Sequence, residues 1–524
     1  MVKLTGGEAL VRSMETEGID TVFGVPGNGQ YEIVDSFWNK KEIRYISLRH
    51  EQASTYMADG FFRASNKIAG VVVVEGPGFF NATGGLATAY DASSPMLIIT
   101  GTSLYGHDSG KTNIDWAKAM TKWATIVDRP AQMPETVHEA IRQMKTGRPR
   151  PVLIQVSQSV LASKEEVKFI DPVDNLPSYP DKDQIKNLAK IIAGSQSPLI
   201  WAGGGVNISN ANESILNLSE FIQAPVVTTA NGKGVISDRH PLSLGFSELR
   251  YEPLAEMINH RDLILAVGTR TNFSQFDGTK VVRLDVDPIE INRPNHHDIG
   301  LHGDAKTTID SLMEVLPDFM ERRDSVEHRR IAELQRERFS KENQLEPQGG
   351  LMHALRESLP DEGIVVQGMN QMGYYSRNYM PIYSHHGYMS ASHFGTLGHA
   401  FPVGLGAKLA KPERPVVVIS GDGGFLYNSQ EISTAIKYGI NLVVVVFNDN
   451  AYGNVLRAQK DDYSGHVIGT KLSNPDFVQL GKSYGMRTYR TDNKEQLKKI
   501  LEESYSEELP TLIEVPVGEM ERVY

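Results

Sequence analysis

Two short acidic motifs near the end of the chain have the residue types and spacing for metal-assisted chemistry. Gly421-Asp422-Gly423-Gly424 follows the apolar run Val416–Ile419, and Asn448-Asp449-Asn450-Ala451-Tyr452-Gly453 follows the next apolar run, Leu442–Phe447. Asp449 stands 27 positions after Asp422. That length suits a strand, a turn, a helix and a second strand. The two aspartates are therefore expected at the carboxyl ends of adjacent parallel strands, the edge where open α/β sheets bind ligands. Glycine around Asp422 lets the backbone approach a phosphate, and a helix starting near Phe425 turns its positive end toward the same point. Two carboxylates together with phosphate oxygens make the hard, all-oxygen donor set that Mg²⁺ takes. Read singly, Asp422 is a helix cap and Asn448–Gly453 a surface turn. The pairing of the two motifs is what favours a metal site.

The pair resembles the cofactor motif of thiamine-diphosphate enzymes. The resemblance implies Asp422 and Asp449 as side-chain ligands of Mg²⁺, the carbonyl of Ala451 as a third, and Gly421, Gly423, Gly424 and Tyr452 around the diphosphate. Many members of the family carry Asn where Asp449 stands; Asp keeps the oxygen donor and adds charge. A second stretch, Arg49-His50-Glu51-Gln52-Ala53, follows the strand-like run Arg44–Leu48. Here the resemblance implies that Glu51 hydrogen-bonds N1′ of the aminopyrimidine and favours the imino tautomer that takes the C2 proton, with burial expected to raise the Glu51 pKa. Without the resemblance, Glu51 is a carboxylate in the first turn of a helix. In Gly395-Thr396-Leu397-Gly398 the resemblance makes Leu397 the apolar wedge beneath the coenzyme and the Gly395 carbonyl an acceptor for its 4′-amino group. Asn370, in Gly368–Met372, is placed to reach the diphosphate.

These motifs need sheets to hold them. Alternating strand and helix patterns fall into three α/β blocks, each expected as a mostly parallel sheet flanked by helices: residues 1 to 165, 185 to 320 and 350 to 524. The resemblance assigns them as pyrimidine-binding, central and diphosphate-binding domains. Residues 163 to 184 are charged and proline-rich and read as a linker, while residues 321 to 342 read as a solvated connecting helix. The first and third blocks echo each other: Val71–Tyr90 and Val417–Ile436 share a strand, a Gly-x-Gly turn, an aromatic residue and a helix, as a duplicated unit would.

Composition narrows the function further. Cysteine is absent, which removes disulfides, thiolate catalysis and Cys-ligated metals and fits a reducing cytoplasm. A formal net charge of -11 without a basic tract argues against a nucleic-acid partner. The apolar runs are far shorter than the ~20 residues a membrane helix needs, and the N-terminus, polar and helical in pattern, has no signal-peptide core.

Further similarity to the acetolactate synthase and 2-oxo acid decarboxylase group runs through Gly24–Gly29, Gly76–Asn81, Ala230–Val235 and Leu284–Pro288. It implies a homodimer or homotetramer in which Glu51 and Asp422 of different subunits complete one site. Asn28, after the Val25-Pro26-Gly27 turn, is expected to face the reacting carbonyl; otherwise it is a turn residue tolerating positive φ. His107 lies on a loop within reach as an acid or base, or is simply an exposed loop histidine. There are departures. The group's acetohydroxyacid synthases carry a tryptophan near the position of Ala458, and Gly268–Phe276 matches the flavin-contacting stretch only in part. FAD is therefore not favoured. The expected activity is acetolactate-synthase-like carboligation with pyruvate as donor. The alternatives are a benzoylformate-type decarboxylase and, of another class, a flavin-dependent oxidase or a non-catalytic homologue.

Overall fold

The computed structural model describes residues 1–38, 40–102, 113–172, 178–248, 251–276, 278–294, 298–324, 327–342, 345–391 and 393–521. Valine- and isoleucine-rich runs buried along their whole length form three six-stranded sheets, all parallel, as strands covered by helices on both faces require. The first sheet contains β2 (Thr21–Gly24), β3 (Arg44–Ser47), β4 (Ala69–Val73), β5 (Met96–Thr100), β6 (Trp123–Val127) and β7 (Val152–Val156), in the order β3-β2-β4-β5-β7-β6. The second contains β9 (Pro198–Ala202), β10 (Val226–Thr228), β11 (Ser243–Phe246), β12 (Leu263–Val267), β13 (Lys280–Asp285) and β14 (Ile299–His302), in the order β11-β10-β9-β12-β13-β14. The third contains β15 (Ile364–Gln367), β16 (Tyr388–Met389), β17 (Val416–Gly421), β18 (Val443–Asn448), β19 (Arg487–Arg490) and β20 (Thr511–Pro516), in the order β16-β15-β17-β18-β20-β19.

Counted within each sheet, the first and third share one winding, with the second strand at the edge and the last two exchanged. The echo between the two blocks thus extends to their topology. The central sheet instead follows the doubly wound dinucleotide order.

Two sequence expectations change. The segment expected as linker from residue 163 begins with β8 (Lys164–Val167), which pairs antiparallel with β1 (Val2–Thr5) and ties the end of the first domain to its start. The N-terminus accordingly opens as a strand before its helix, Gly6–Thr16, begins. The charged connecting helix spans His328–Glu342 and is not wholly solvated. Ile331, Leu334 and Arg338 recur at helical spacing and are buried, the two apolar residues in a core of the central domain.

The first and third domains share a core. One apolar cluster runs from Phe23 and Phe61 through Phe401 to Phe425 and Phe477. At its centre the helix Glu51–Ser65 packs against the helix Ala400–Ala410, both buried over most of their length. The backbones nearly touch. A Cβ on Gly60 would lie 2.0 Å from the Val403 carbonyl oxygen, and one on Gly406 would lie 2.0 Å from that of Met57. Glycine at both positions is a packing requirement.

Candidate active site

β17 and β18 are hydrogen-bonded neighbours, Gly421 opposite Phe447, so Asp422 and Asp449 emerge side by side at the carboxyl edge of the third sheet. Asp422 is 2% exposed and starts the short helix Asp422–Leu426. The two carboxyl groups lie within hydrogen-bonding reach of each other. Burial raises the Asp422 pKa, opposed by a hydrogen bond from Asn474. Burial, and then the charge of Asp422, push Asp449 up to about 6. Like charges in a poorly solvated place resist ionising together, and a divalent cation would relieve the conflict.

The turn after β18 is held by its own side chains. Asn448 Oδ1 accepts from the Asn450 N–H at 3.1 Å, and Asp449 Oδ1 accepts from the Ala451 N–H at 3.1 Å. Asn450 takes the left-handed φ of 53°. Asn474, which sequence reasoning missed, joins both motifs: its Nδ2 donates to Asp422 Oδ2 at 2.6 Å, Asn448 Oδ1 at 3.0 Å and Asn450 Oδ1 at 3.2 Å. Among the described residues no three carboxylate or imidazole groups form a metal cluster. A cation here would rest on the two aspartates, a backbone carbonyl such as that of Ala451, and ligand oxygens.

The glycines differ in use. A Cβ on Gly423 would strike the Tyr452 ring at 2.7 Å, so Tyr452 packs directly over the turn. One on Gly421 would lie 3.0 Å from Asn370 Cβ. A Cβ on Gly424 would make only ordinary contacts, 3.8 Å from Ser420 Oγ, 3.9 Å from Leu397 Cδ2 and 4.0 Å from the Gly398 nitrogen. Gly424 and Leu397 thus lie next to each other. Gly395, with φ of 65°, begins the turn that carries Leu397. Asn370 is already engaged: its Oδ1 caps the helix Gln371–Tyr379 by accepting from the Gly373 N–H at 2.8 Å, and it braces the turn rather than reaching out of it.

Glu51 is the first residue of its helix, after β3. Unlike the buried glutamate expected from the sequence, it is only partly buried in the single chain. It accepts from Asn81 Nδ2 at 3.0 Å, and a Cβ on Gly78 would lie 3.2 Å from its Oε1. Its approach is set from the third domain. Buried Glu431 accepts from the backbone N–H groups of Arg49 at 3.1 Å and His50 at 3.0 Å, just ahead of Glu51. No local pattern marks Glu431 or Asn474, since each acts on residues far away in the chain. Asn28 is exposed in its turn, and the positive φ falls on Gly29, at 82°, not on Asn28. Glu75, at the end of β4, lays its carboxylate against Gly29 and Gly101, and burial raises its pKa. His107 lies outside the described residues.

A separate cavity of about 1360 Å³ opens between the three domains, lined by Asp91, Arg148, Arg270, Asp285 and the turns at Gly204 and Gly268. Arg270 pairs with Asp91 at 2.9 Å. The Gly203–Gly205 run serves backbone packing, with the Gly205 N–H donating to the Gly268 carbonyl at 3.0 Å.

Three family models match the chain: the thiamine pyrophosphate enzyme N-terminal TPP binding domain over residues 4–122, the central domain over 185–312, and the C-terminal TPP binding domain over 368–515. A probable acetolactate synthase large subunit of Methanocaldococcus jannaschii is 34% identical, covering 99% of this chain and 93% of that protein. A probable 2-ketoarginine decarboxylase of Pseudomonas aeruginosa is 32% identical, covering 98% and 94%. The acetolactate synthase isozyme 3 large subunit of Escherichia coli is 29% identical, covering 100% and 96%.

Proposed function

The chain belongs to the thiamine pyrophosphate enzyme family, and from that premise we propose that it is a thiamine-diphosphate- and Mg²⁺-dependent carboligase of the acetolactate synthase type, with pyruvate as donor. The observation that carries the reading is the pair Asp422 and Asp449 on adjacent strand ends, with Gly424 and Leu397 close beside them. That donor set suits a diphosphate-bound divalent ion.

When bound, the coenzyme supplies a carbon nucleophile and an electron sink for the loss of carbon dioxide. The chain's own residues do the rest. Asp422, Asp449 and the Ala451 carbonyl hold the metal. Gly421, Gly423 and Gly424 admit the diphosphate, with Tyr452 packed over the turn and Asn370 bracing it. Leu397 would support the coenzyme, and the Gly395 carbonyl would accept from its amino group. Glu51 holds a proton at N1′. Asn28 orients the substrate carbonyl, and His107 is the candidate acid or base.

Glu51 and Asp422 work together in this reading across a homodimer or homotetramer. Its support is the exposed apolar surface near each half-site: Phe80 and Trp116 beside Asn81, and Phe394 and Tyr427 beside the Leu397 turn. Placement in the cytoplasm goes with it, supported by the absence of cysteine. Among the described residues, no helix is long and apolar enough to cross a membrane.

The test is to give the protein pyruvate alone and measure acetolactate against acetaldehyde. Acetolactate supports the carboligase. Aldehyde from pyruvate or from an aryl or cationic 2-oxo acid supports the decarboxylase alternative, which the 2-ketoarginine decarboxylase relative favours. Inertness toward a panel of 2-oxo acids defeats both. FAD is outside the proposal; a yellow preparation would return the flavin-dependent oxidase, with the central cavity as the place for its second cofactor.

A further inference from the structure

The turn that carries Gly395 and Leu397 is held by its carbonyls. Thr396 O lies 2.9 Å from His399 Nδ1. Leu397 O accepts from Thr396 Oγ1 at 3.2 Å, and Gly398 O accepts from Asn428 Nδ2 at 2.8 Å. Three successive carbonyls are engaged, while among the described residues none of the chain's own donors reaches Gly395 O.

His399 is the hinge of this arrangement. It is 1% exposed, and its second ring nitrogen, Nε2, lies 2.9 Å from Gln367 O at the end of β15. The imidazole therefore spans from the sheet to the turn. Tyr56, from the helix headed by Glu51, sets its ring edge-on to the imidazole at 6.3 Å, and its hydroxyl lies 3.0 Å from Thr396 Oγ1. A neutral imidazole has one N–H, yet two carbonyls face this ring. Burial and the nearby Arg63 charge keep the ring from gaining a second proton. One of the two contacts is always a lone pair against a carbonyl. One N–H therefore donates to one of the two carbonyls, while the ring fills the space between β15 and the turn.

We propose that His399 is a positioning residue of the active site: wedged between Gln367 O and Thr396 O and donating its one N–H to one of them, it sets the height of Leu397 and leaves the Gly395 carbonyl turned out for the coenzyme amino group. The inference rests on the reading of residues 395 to 397 as coenzyme contacts. It assigns His399 no contact with substrate.

The experiment uses the full-length protein with thiamine diphosphate and Mg²⁺. Two readouts are taken: coenzyme affinity by calorimetry, and exchange of the bound coenzyme's C2 proton for deuterium, quenched and read by NMR. Exchange needs no substrate, so it is independent of which 2-oxo acid is used. In His399→Phe the exchange rate and kcat are expected to fall about 100-fold, as for a misplacement near 1 Å, while KM stays within about threefold. His399→Gln, which can donate to either carbonyl, recovers at least tenfold. If His399→Phe does not fold, His399→Asn, too short to span both carbonyls, takes its place with the same expectation. Exchange at the wild-type rate in the Phe or Asn variant overturns the proposal, as does failure of Gln to recover any of the loss. Failure of the wild-type protein to take up the coenzyme overturns the functional reading itself.

Discussion

Substituting Gly406 by alanine tests whether the contact between the two buried helices sets the catalytic geometry. The new Cβ would sit 2.0 Å from Met57 O, 2.7 Å from Met57 C and 2.8 Å from Met57 Cα. Ordinary contact begins near 3.4 Å, so the helices must part by about 1.4 Å. The obstacle is helical backbone, which has no rotamer to change. Overpacking of this kind costs about 1–3 kcal/mol, here toward the upper end. Alanine's helix preference over glycine returns about 1 kcal/mol, leaving a net loss of about 2 kcal/mol. The functional cost is separate. One helix begins with Glu51 and the other follows the Leu397 turn, so parting them moves both groups, and a shift near 1 Å is expected to lower kcat about 100-fold. The assay is urea unfolding followed by circular dichroism, together with steady-state turnover. The control is Gly194→Ala, in the helix Lys182–Gly194, where nothing lies within 4 Å of the added carbon. It should leave turnover unchanged. If Gly406→Ala matched this control in both measurements, the helix contact would have no part in placing the site.

The remaining expectations concern the site directly. Glu51→Gln keeps the shape but not the shared proton, and should raise the barrier by about 3 kcal/mol, roughly 150-fold in kcat, with coenzyme affinity nearly kept; unchanged turnover would remove Glu51 from the mechanism. Asp449, held up to about 6 by burial and then by Asp422, gives a signed pH dependence. Its folded pKa lies above the ordinary carboxylate value, so the metal-free protein loses stability as pH rises from about 4 to 6, while metal binding needs both groups ionised. The melting shift caused by Mg²⁺ and thiamine diphosphate should be small at pH 5 and full at pH 7.5, and an equal shift at both would contradict the assignment. Asn474→Ala removes the donor at 2.6 Å from Asp422 Oδ2 and should weaken Mg²⁺ uptake about 10- to 100-fold; a titration within twofold of wild type would make Asn474 a bystander.

Much of the site was legible because its parts are local. Gly421–Gly424 and Asn448–Gly453 each follow a strand directly, and a short helical connection places those strands next to each other, so spacing alone brings Asp422 to Asp449. The strand and helix around Glu51 are legible in the same way, but its role is implied only by the resemblance. The charged segment at 321 to 342 reads as solvated because three buried positions are easily lost among many charges, although Ile331, Leu334 and Arg338 keep the helical period.

The sequence by itself determined three parallel sheets, the turn chemistry at their carboxyl edges and the family, because strand period, glycine turns and carboxylate spacing are properties of contiguous residues. The tertiary structure alone decided which distant groups hold those turns in place. Glu431 reaches back to Arg49 and His50, Asn474 joins two motifs, His399 ties its turn to Gln367, and β8 returns to β1. The physical reason is that such contacts exist only once the chain has folded back on itself: a hydrogen bond between residues tens to hundreds of positions apart leaves no periodic trace in either segment, and its partner is chosen by the closing of the core rather than by its neighbours in the chain.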